Sequence, residues 1–183
     1  METDITFGNY SISPIQVKDA WRLCDFVVSN ESRLKEYFPI TLRENSTPTV
    51  SELFVHNKSK SFISGEEYIF TIKENTNRTI IGLIFVKELR KSTKKAEVAY
   101  CISYRFEGQG IMSQAVKEIC NWTFETHDFD ILEIIAHESN HASIRVAEKN
   151  GFIWKKTLEK EHTTGSGTIL DMQLYELENN KSA

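Results

Sequence analysis

The chain has 183 residues, 40% hydrophobic and 26% charged, with a formal net charge of −4. That length suits a single domain over residues 1–183, because one core serves roughly 250 residues before chains divide, and the composition is globular rather than disordered. The acidic balance argues against a nucleic-acid partner, which takes an excess of Lys and Arg; no apolar run approaches the ~20 residues of a membrane span; and residues 1–8, with Glu2 and Asp4, do not read as a secretory leader.

In chain order, residues 9–15 read as a strand stopped near Pro14. Residues 17–29 carry Ala20, Trp21, Leu23, Cys24, Val27 and Val28 at helical spacings. Residues 31–38 form a short second helix, which Pro39 ends because the residue before a proline avoids the helical region. Residues 40–48 are expected to be a loop and 51–60 a weak third helix. Residues 67–73 and 79–88 are rich in Ile, Phe, Tyr and Val, with Asn75, Thr76 and Asn77 between them, and predict a hairpin of long antiparallel strands. A polar turn at 91–95 leads into a strand over 96–103, and then come Arg105, Phe106, Glu107, Gly108, Gln109 and Gly110. Ile111, Ala115, Ile119 and Trp122, joined by Val116 and Phe124, predict a strong amphipathic helix. Residues 131–137 read as a buried strand, and 140–150 as a helix capped by Ser139 or Asn140 and stopped by Gly151. Residues 152–158 and 168–177 close the chain as two strands. The order describes a mixed sheet covered by helices, not a doubly wound fold.

Gly108 and Gly110 stand at the start of the long helix. The first N–H groups of a helix have no intrahelical partner, point outward and bind phosphate, and glycines let the backbone approach it. A pyrophosphate therefore fits over residues 108–113. A phosphate loop ending in Gly-Lys-Ser/Thr is absent, and a dinucleotide fingerprint would need glycine where Ser113 stands. On the two glycines alone, a tight turn into a helix is an equally good reading. The odd count of three cysteines, Cys24, Cys101 and Cys120, argues against a disulfide framework, and the chain is expected to be cytoplasmic with reduced thiols. Neither the cysteines nor the five histidines show metal-ligand spacing, so no metal is expected. Cys101 and Cys120 read as small core residues.

The run Arg105-Phe106-Glu107-Gly108-Gln109-Gly110 resembles the Arg/Gln-x-x-Gly-x-Gly/Ala loop of the GNAT acetyltransferases, and residues 140–152 resemble that superfamily's Asn-x-x-Ser helix ending in Gly-Phe. Within the superfamily the chain is most similar to the ribosomal-protein serine/alanine N-terminal acetyltransferases. The resemblance is good over residues 79–152; ahead of residue 67 it rests on element order and on Tyr37-Phe38-Pro39.

The resemblance implies an α/β fold with a mixed, mostly antiparallel twisted sheet of about seven strands flanked by helices. It implies acetyl-CoA as co-substrate, with the pantetheine arm between two splayed strands and direct attack of a primary amine on the thioester. Ile102, Ser103 and Tyr104 would offer backbone groups to pantetheine, with an N–H near Ile102 facing the oxyanion. Gly108, Gln109, Gly110, Ile111, Met112 and Ser113 would cradle the pyrophosphate. Asn140 would bond pantetheine near the sulfur, and Ser143 would lie beside the thioester. Many family members place an acidic tyrosine where this chain has Ala147, which leaves Ser143 as its substitute. Glu161, in the turn ahead of Gly165, is the implied base; apart from the resemblance, His141 beside Asn140 is either an alternative base, by its imidazole chemistry, or a surface helix residue. The implied acceptor is a protein or peptide α-amino group. A polyamine, amino acid or antibiotic acceptor, or a non-catalytic acyl-CoA-binding module, remains open on the sequence. The resembling branch also implies a homodimer.

Overall fold

The computed structural model describes residues 4–179. Residues 1–3, part of the stretch read for a leader, and 180–183 lie outside that range. The chain starts with β1 (Ile5–Phe7) and β2 (Tyr10–Pro14), an antiparallel hairpin whose turn uses Gly8 at φ +52°. The sequence showed one strand here, because three residues are too few to display an alternation. Next come α1 (Ala20–Ser29), α2 (Glu31–Tyr37), α3 (Pro39–Arg43) and α4 (Pro48–Ser64). Residues 40–48 are thus not all loop. Pro39 ends α2 but opens α3, at a first-turn position where its missing N–H costs nothing. α4 outruns the predicted 51–60 because Thr47 caps it, accepting the Val50 N–H at 3.5 Å, and Gly65 stops it in the left-handed region.

The remaining elements are β3 (Tyr68–Glu74), β4 (Ile80–Arg90), β5 (Lys95–Ile102), α5 (Ile111–Thr126), β6 (Ile131–Ala136), α6 (His141–Lys149), β7 (Ile153–Thr163) and β8 (Ile169–Glu178). Among the described residues the sheet has eight strands rather than about seven, in the order β1-β2-β3-β4-β5-β6-β8-β7. Every neighbouring pair is antiparallel except β5 and β6. On one face α5 packs Ala115 and Ile119 against Phe70, Ile84 and Leu132; on the other, α1 and α4 pack Leu23, Val27 and Phe54 against Ile69 and Leu83. With both faces covered, β3 and β4 read as continuous apolar runs instead of alternating ones.

β5 and β6 pair only where Lys95, Ala96 and Glu97 face Ile131, Leu132 and Glu133. Beyond that the two strands part: β5 stays with β4 as far as Ile102, and β6 stays with β8 as far as Ala136. Ion pairs lock the closed end of this wedge. Glu133 holds Arg90 and Lys95, and Lys95 also reaches Glu176 at 2.6 Å. The Glu176 carboxylate raises the Lys95 ammonium above its ordinary range.

β7 also outruns its predicted span of 152–158. Its residues are nearly all exposed on both faces, so no periodicity marked its end. Glu161 therefore sits within the strand and not in a turn, one residue after Lys160 at φ +54°. The turn that follows docks on α2: the Gly165 N–H donates to the Lys35 carbonyl at 3.1 Å, and His162 Nε2 donates to the Glu36 carbonyl at 2.7 Å.

Candidate active site

Gly108 and Gly110 both lie in the left-handed region, at φ +72° and +77°, and an added Cβ at either would meet only open space. Gly110 caps α5, and the first intrahelical bond runs from the Gln114 N–H to the Gly110 carbonyl. The N–H groups of Ile111, Met112 and Ser113 thus emerge unpaired within the helix while the Ile111 and Met112 side chains are buried. Asn150, just past the end of α6, ties the two helices together by donating to the Ser113 carbonyl at 3.1 Å and to Val146 at 2.8 Å. The glycine turn opens into a cleft of about 550 Å³ that includes Ile102, Gly108, Gly110, Ile111, Met112, Ser113, Asn140 and Ser143. Arg33, Arg145 and Lys149 bring positive charge to the same cleft. Arg33 is paired with Glu107. A helix N-terminus, flanking cations and a turn with two glycines suit an elongated polyphosphate ester.

Other expected residues stand differently. The Ser103 N–H donates to the Ile81 carbonyl at 2.7 Å, and the Tyr104 N–H to Asn30 Oδ1 at 3.2 Å, so neither amide faces the cleft. Strand alternation from Ser103 turns the Ile102 and Tyr100 amides to the side where β6 has parted. Gln109 lies outside the cleft, its Nε2 donating back to the Arg105 carbonyl at 3.0 Å.

Asn140 caps α6, accepting the Ser143 N–H on Oδ1 at 3.2 Å; Ser139 does not. The Tyr100 hydroxyl donates to the Ser143 carbonyl at 2.8 Å, and burial raises its phenol well above the ordinary range. Ala147 is fully buried and lines neither cavity. Burial pushes the Cys101 thiol up to about 12, which leaves it protonated and unsuited to nucleophilic work.

A second cavity, of about 570 Å³, lies on the other side of this point, between the wedge, α2, α3 and the end of β7. Its wall includes Phe38, Phe54 and Phe85, with Phe38 stacked on Phe85 at 5.9 Å. Glu161, His162 and His137 line it as well. The two cavities share Tyr37, Phe38, Tyr100, Asn140 and Ser143. Sequence reasoning passed over Tyr37, Tyr100, Arg145 and Lys149 as site residues, because helix α2 and strand β5 meet α6 only in three dimensions. His141 lines neither cavity. The arrangement is a cleft for a long anionic ligand meeting a cavity for a second reactant across an unpaired strand edge.

Known proteins are similar to this chain in sequence and in fold. YdaF of Bacillus subtilis (strain 168), provisionally named a ribosomal N-acetyltransferase, is 26% identical over 145 residues, 78% of this chain and 77% of its own. The alanine N-acetyltransferase of ribosomal protein uS5 from Escherichia coli (strain K12) is 25% identical over 113 residues, 61% of this chain and 58% of its own. Among solved structures, the ribosomal-protein-S5-alanine acetyltransferase of Vibrio fischeri superposes with a TM-score of 0.92 at 19% identity, covering 100% of both chains. The L7/L12 α-N-protein acetyltransferase RimL, solved with coenzyme A, gives 0.86 at 18% identity over 96% of this chain and 97% of its own. At that identity the two structures speak for the fold. Residues 11–153 match the model of the acetyltransferase (GNAT) domain, and the chain belongs to the GNAT family of N-acetyltransferases.

Proposed function

We propose that the protein moves an acetyl group from acetyl-CoA to the α-amino group of a protein or peptide N-terminus. One observation carries this reading: the cleft at the glycine turn and the second cavity meet at Tyr100, Asn140 and Ser143, beside the unpaired edge of β5. The amides at the start of α5, with Gly108 and Gly110, would hold the pyrophosphate, and Arg33, Arg145 and Lys149 the remaining phosphate charge. The Tyr100 and Ile102 backbone groups would take pantetheine as an added strand, and the Ile102 N–H would meet the charge developing on the thioester oxygen. Asn140 and Ser143 would flank the sulfur. The names of the relatives, a provisionally named ribosomal N-acetyltransferase and an alanine N-acetyltransferase of ribosomal protein uS5, favour a protein N-terminus as acceptor.

Glu161 lines the acceptor cavity and is the proposed base. A free α-amino group has a pKa of roughly 7.7–8.0, against about 10.4 for lysine. One carboxylate, acting directly or through water, is enough help for the first and too little for the second. The test is a pH–rate profile on a peptide with a free N-terminus and on its N-blocked, lysine-containing counterpart. The free peptide should be acetylated and the blocked one spared, and Glu161→Gln should lose most rate below about pH 8, where the amine is still protonated. Equal rates on both peptides would reject the α-amino acceptor. A Glu161→Gln profile overlying the wild type would remove that residue from the mechanism.

A further inference from the structure

Collapse of the acyl-transfer intermediate breaks the carbon–sulfur bond and leaves the electron pair on sulfur, where a proton must follow. Five residues reach both cavities and are therefore placed to supply it. Phe38 has no proton to give. The Tyr100 hydroxyl is committed to the Ser143 carbonyl at 2.8 Å. Asn140 is an amide, not an acid, and its Oδ1 already caps α6. Ser143 is an alcohol, far weaker as an acid than a phenol of pKa about 10. Tyr37 remains.

On the acetyl-transfer reading above, we propose that Tyr37, at the end of α2, is the acid that protonates the departing sulfur. Its ring lies beside two imidazoles, His137 at 6.4 Å and His162 at 6.0 Å between centroids. His162 is itself fixed by its hydrogen bond to the Glu36 carbonyl at 2.7 Å. The Ser139 hydroxyl reaches the Tyr37 phenol, and Ser139 Oγ also lies 2.7 Å from His137 Nδ1. Ser139 is exposed, so this chain of hydroxyls and imidazole opens to water. Burial, with a smaller push from the Glu36 carboxylate beside it, raises the Tyr37 phenol above its ordinary range; a phenol is protonated at neutral pH in any case. In the step, the phenol proton passes to sulfur, giving the thiol. The phenolate then recovers a proton from solvent through Ser139, while the proton lost by the attacking amine leaves through the base.

Tyr37→Phe keeps the ring beside its imidazoles and removes only the hydroxyl. It should lower kcat about a hundredfold, the lower end for a general acid, because a thiol of pKa about 8.5 is a tolerable leaving group without help. KM for both substrates should hold. Ser139→Ala should lower kcat less, and the double variant should be no slower than Tyr37→Phe alone. A second readout needs no turnover: the thiol of bound coenzyme A, titrated by thiolate absorbance, should have a higher pKa in Tyr37→Phe than in the wild type, since the donor to the thiolate is gone. A variant with wild-type kcat and wild-type thiol pKa overturns the proposal. So does a loss of kcat with an unmoved thiol pKa, which would leave Tyr37 a packing role only. If the wild type binds coenzyme A but acetylates no amine, the acetyl-transfer reading falls, and the thiol titration still decides Tyr37.

Discussion

The Tyr100 hydroxyl donates a 2.8 Å hydrogen bond to the carbonyl of Ser143, joining the open edge of β5 to the first turn of α6 across 43 residues of sequence. The bond sets the spacing between the strand that lines the cleft and the helix that carries Asn140 and Ser143. Tyr100→Phe should therefore cost about 1 kcal/mol of stability, the net value of one hydrogen bond. It should also raise KM for acetyl-CoA and lower kcat several-fold, because a small misplacement at a reacting centre is costly. Urea melts and steady-state kinetics read both. Unchanged kinetics at reduced stability would show that the first turn of α6 holds its place without this bond.

The glycine turn gives a second prediction. Gly110 adopts φ +77° and lines the cleft, and a Cβ there would meet no protein atom within 4 Å. Gly110→Val should leave the fold standing at a cost of about 1–2 kcal/mol for the left-handed backbone. Coenzyme A affinity, measured by calorimetry, should fall far more than that strain explains. Undiminished affinity in a folded variant would move the pyrophosphate elsewhere.

Gly165 gives a third. A Cβ there would stand 2.6 Å from the Lys35 carbonyl, so Gly165→Ala must push the β7–β8 turn off α2. That turn follows Glu161, His162 and Thr163, which line only the second cavity. KM for the acceptor should rise while coenzyme A affinity stays at the wild-type value. A matched loss of both would mean that the turn supports the whole site and not one side of it.

His127, at the end of α5, lies stacked on Tyr68 at 4.6 Å, and its Nε2 has no hydrogen-bond partner among the described residues. Burial, helped by the Lys91 charge, lowers its pKa below the usual imidazole value. The unfolded chain therefore takes up this proton first as pH falls. The stability that the neutral ring contributes is complete above about pH 6.5, the unfolded value, and is lost as pH drops through the lower folded value. His127→Phe should flatten the melting-temperature profile between about pH 5 and 7 relative to the wild type. Parallel profiles would assign the acid sensitivity to other groups.

Features fixed by nearest neighbours were readable from the sequence. Gly110 before an amphipathic helix, Asn140 capping α6 and Gly151 ending it at φ +81° are all local, and each stands as expected. Two kinds of feature were not readable. Pro39 is at once a stop for α2 and a start for α3, and both roles obey the same steric rule. β7 is an exposed edge strand, so no buried face imposed a period on it and Glu161 was assigned to a turn. The meeting of Tyr37, Tyr100 and Ser143 depends on how α2, β5 and α6 pack, and no spacing along the chain encodes that.

The parting of β5 from β6 leaves two strand edges facing each other inside a sheet, each with backbone groups aimed at a gap. Edges of this kind elsewhere invite foreign strands. Here the gap is walled by α5, α6 and α2, so only a narrow, extended chain fits, and a pantetheine arm has that form. The donor molecule would then act as a ninth strand as well as a reactant. Its concentration would set how much of the protein has a complete sheet, with about 4 kcal/mol added at a thousandfold excess over the dissociation constant. Slow amide exchange at Tyr100 and Ile102 would then report the supply of acetyl donor in the surrounding solution.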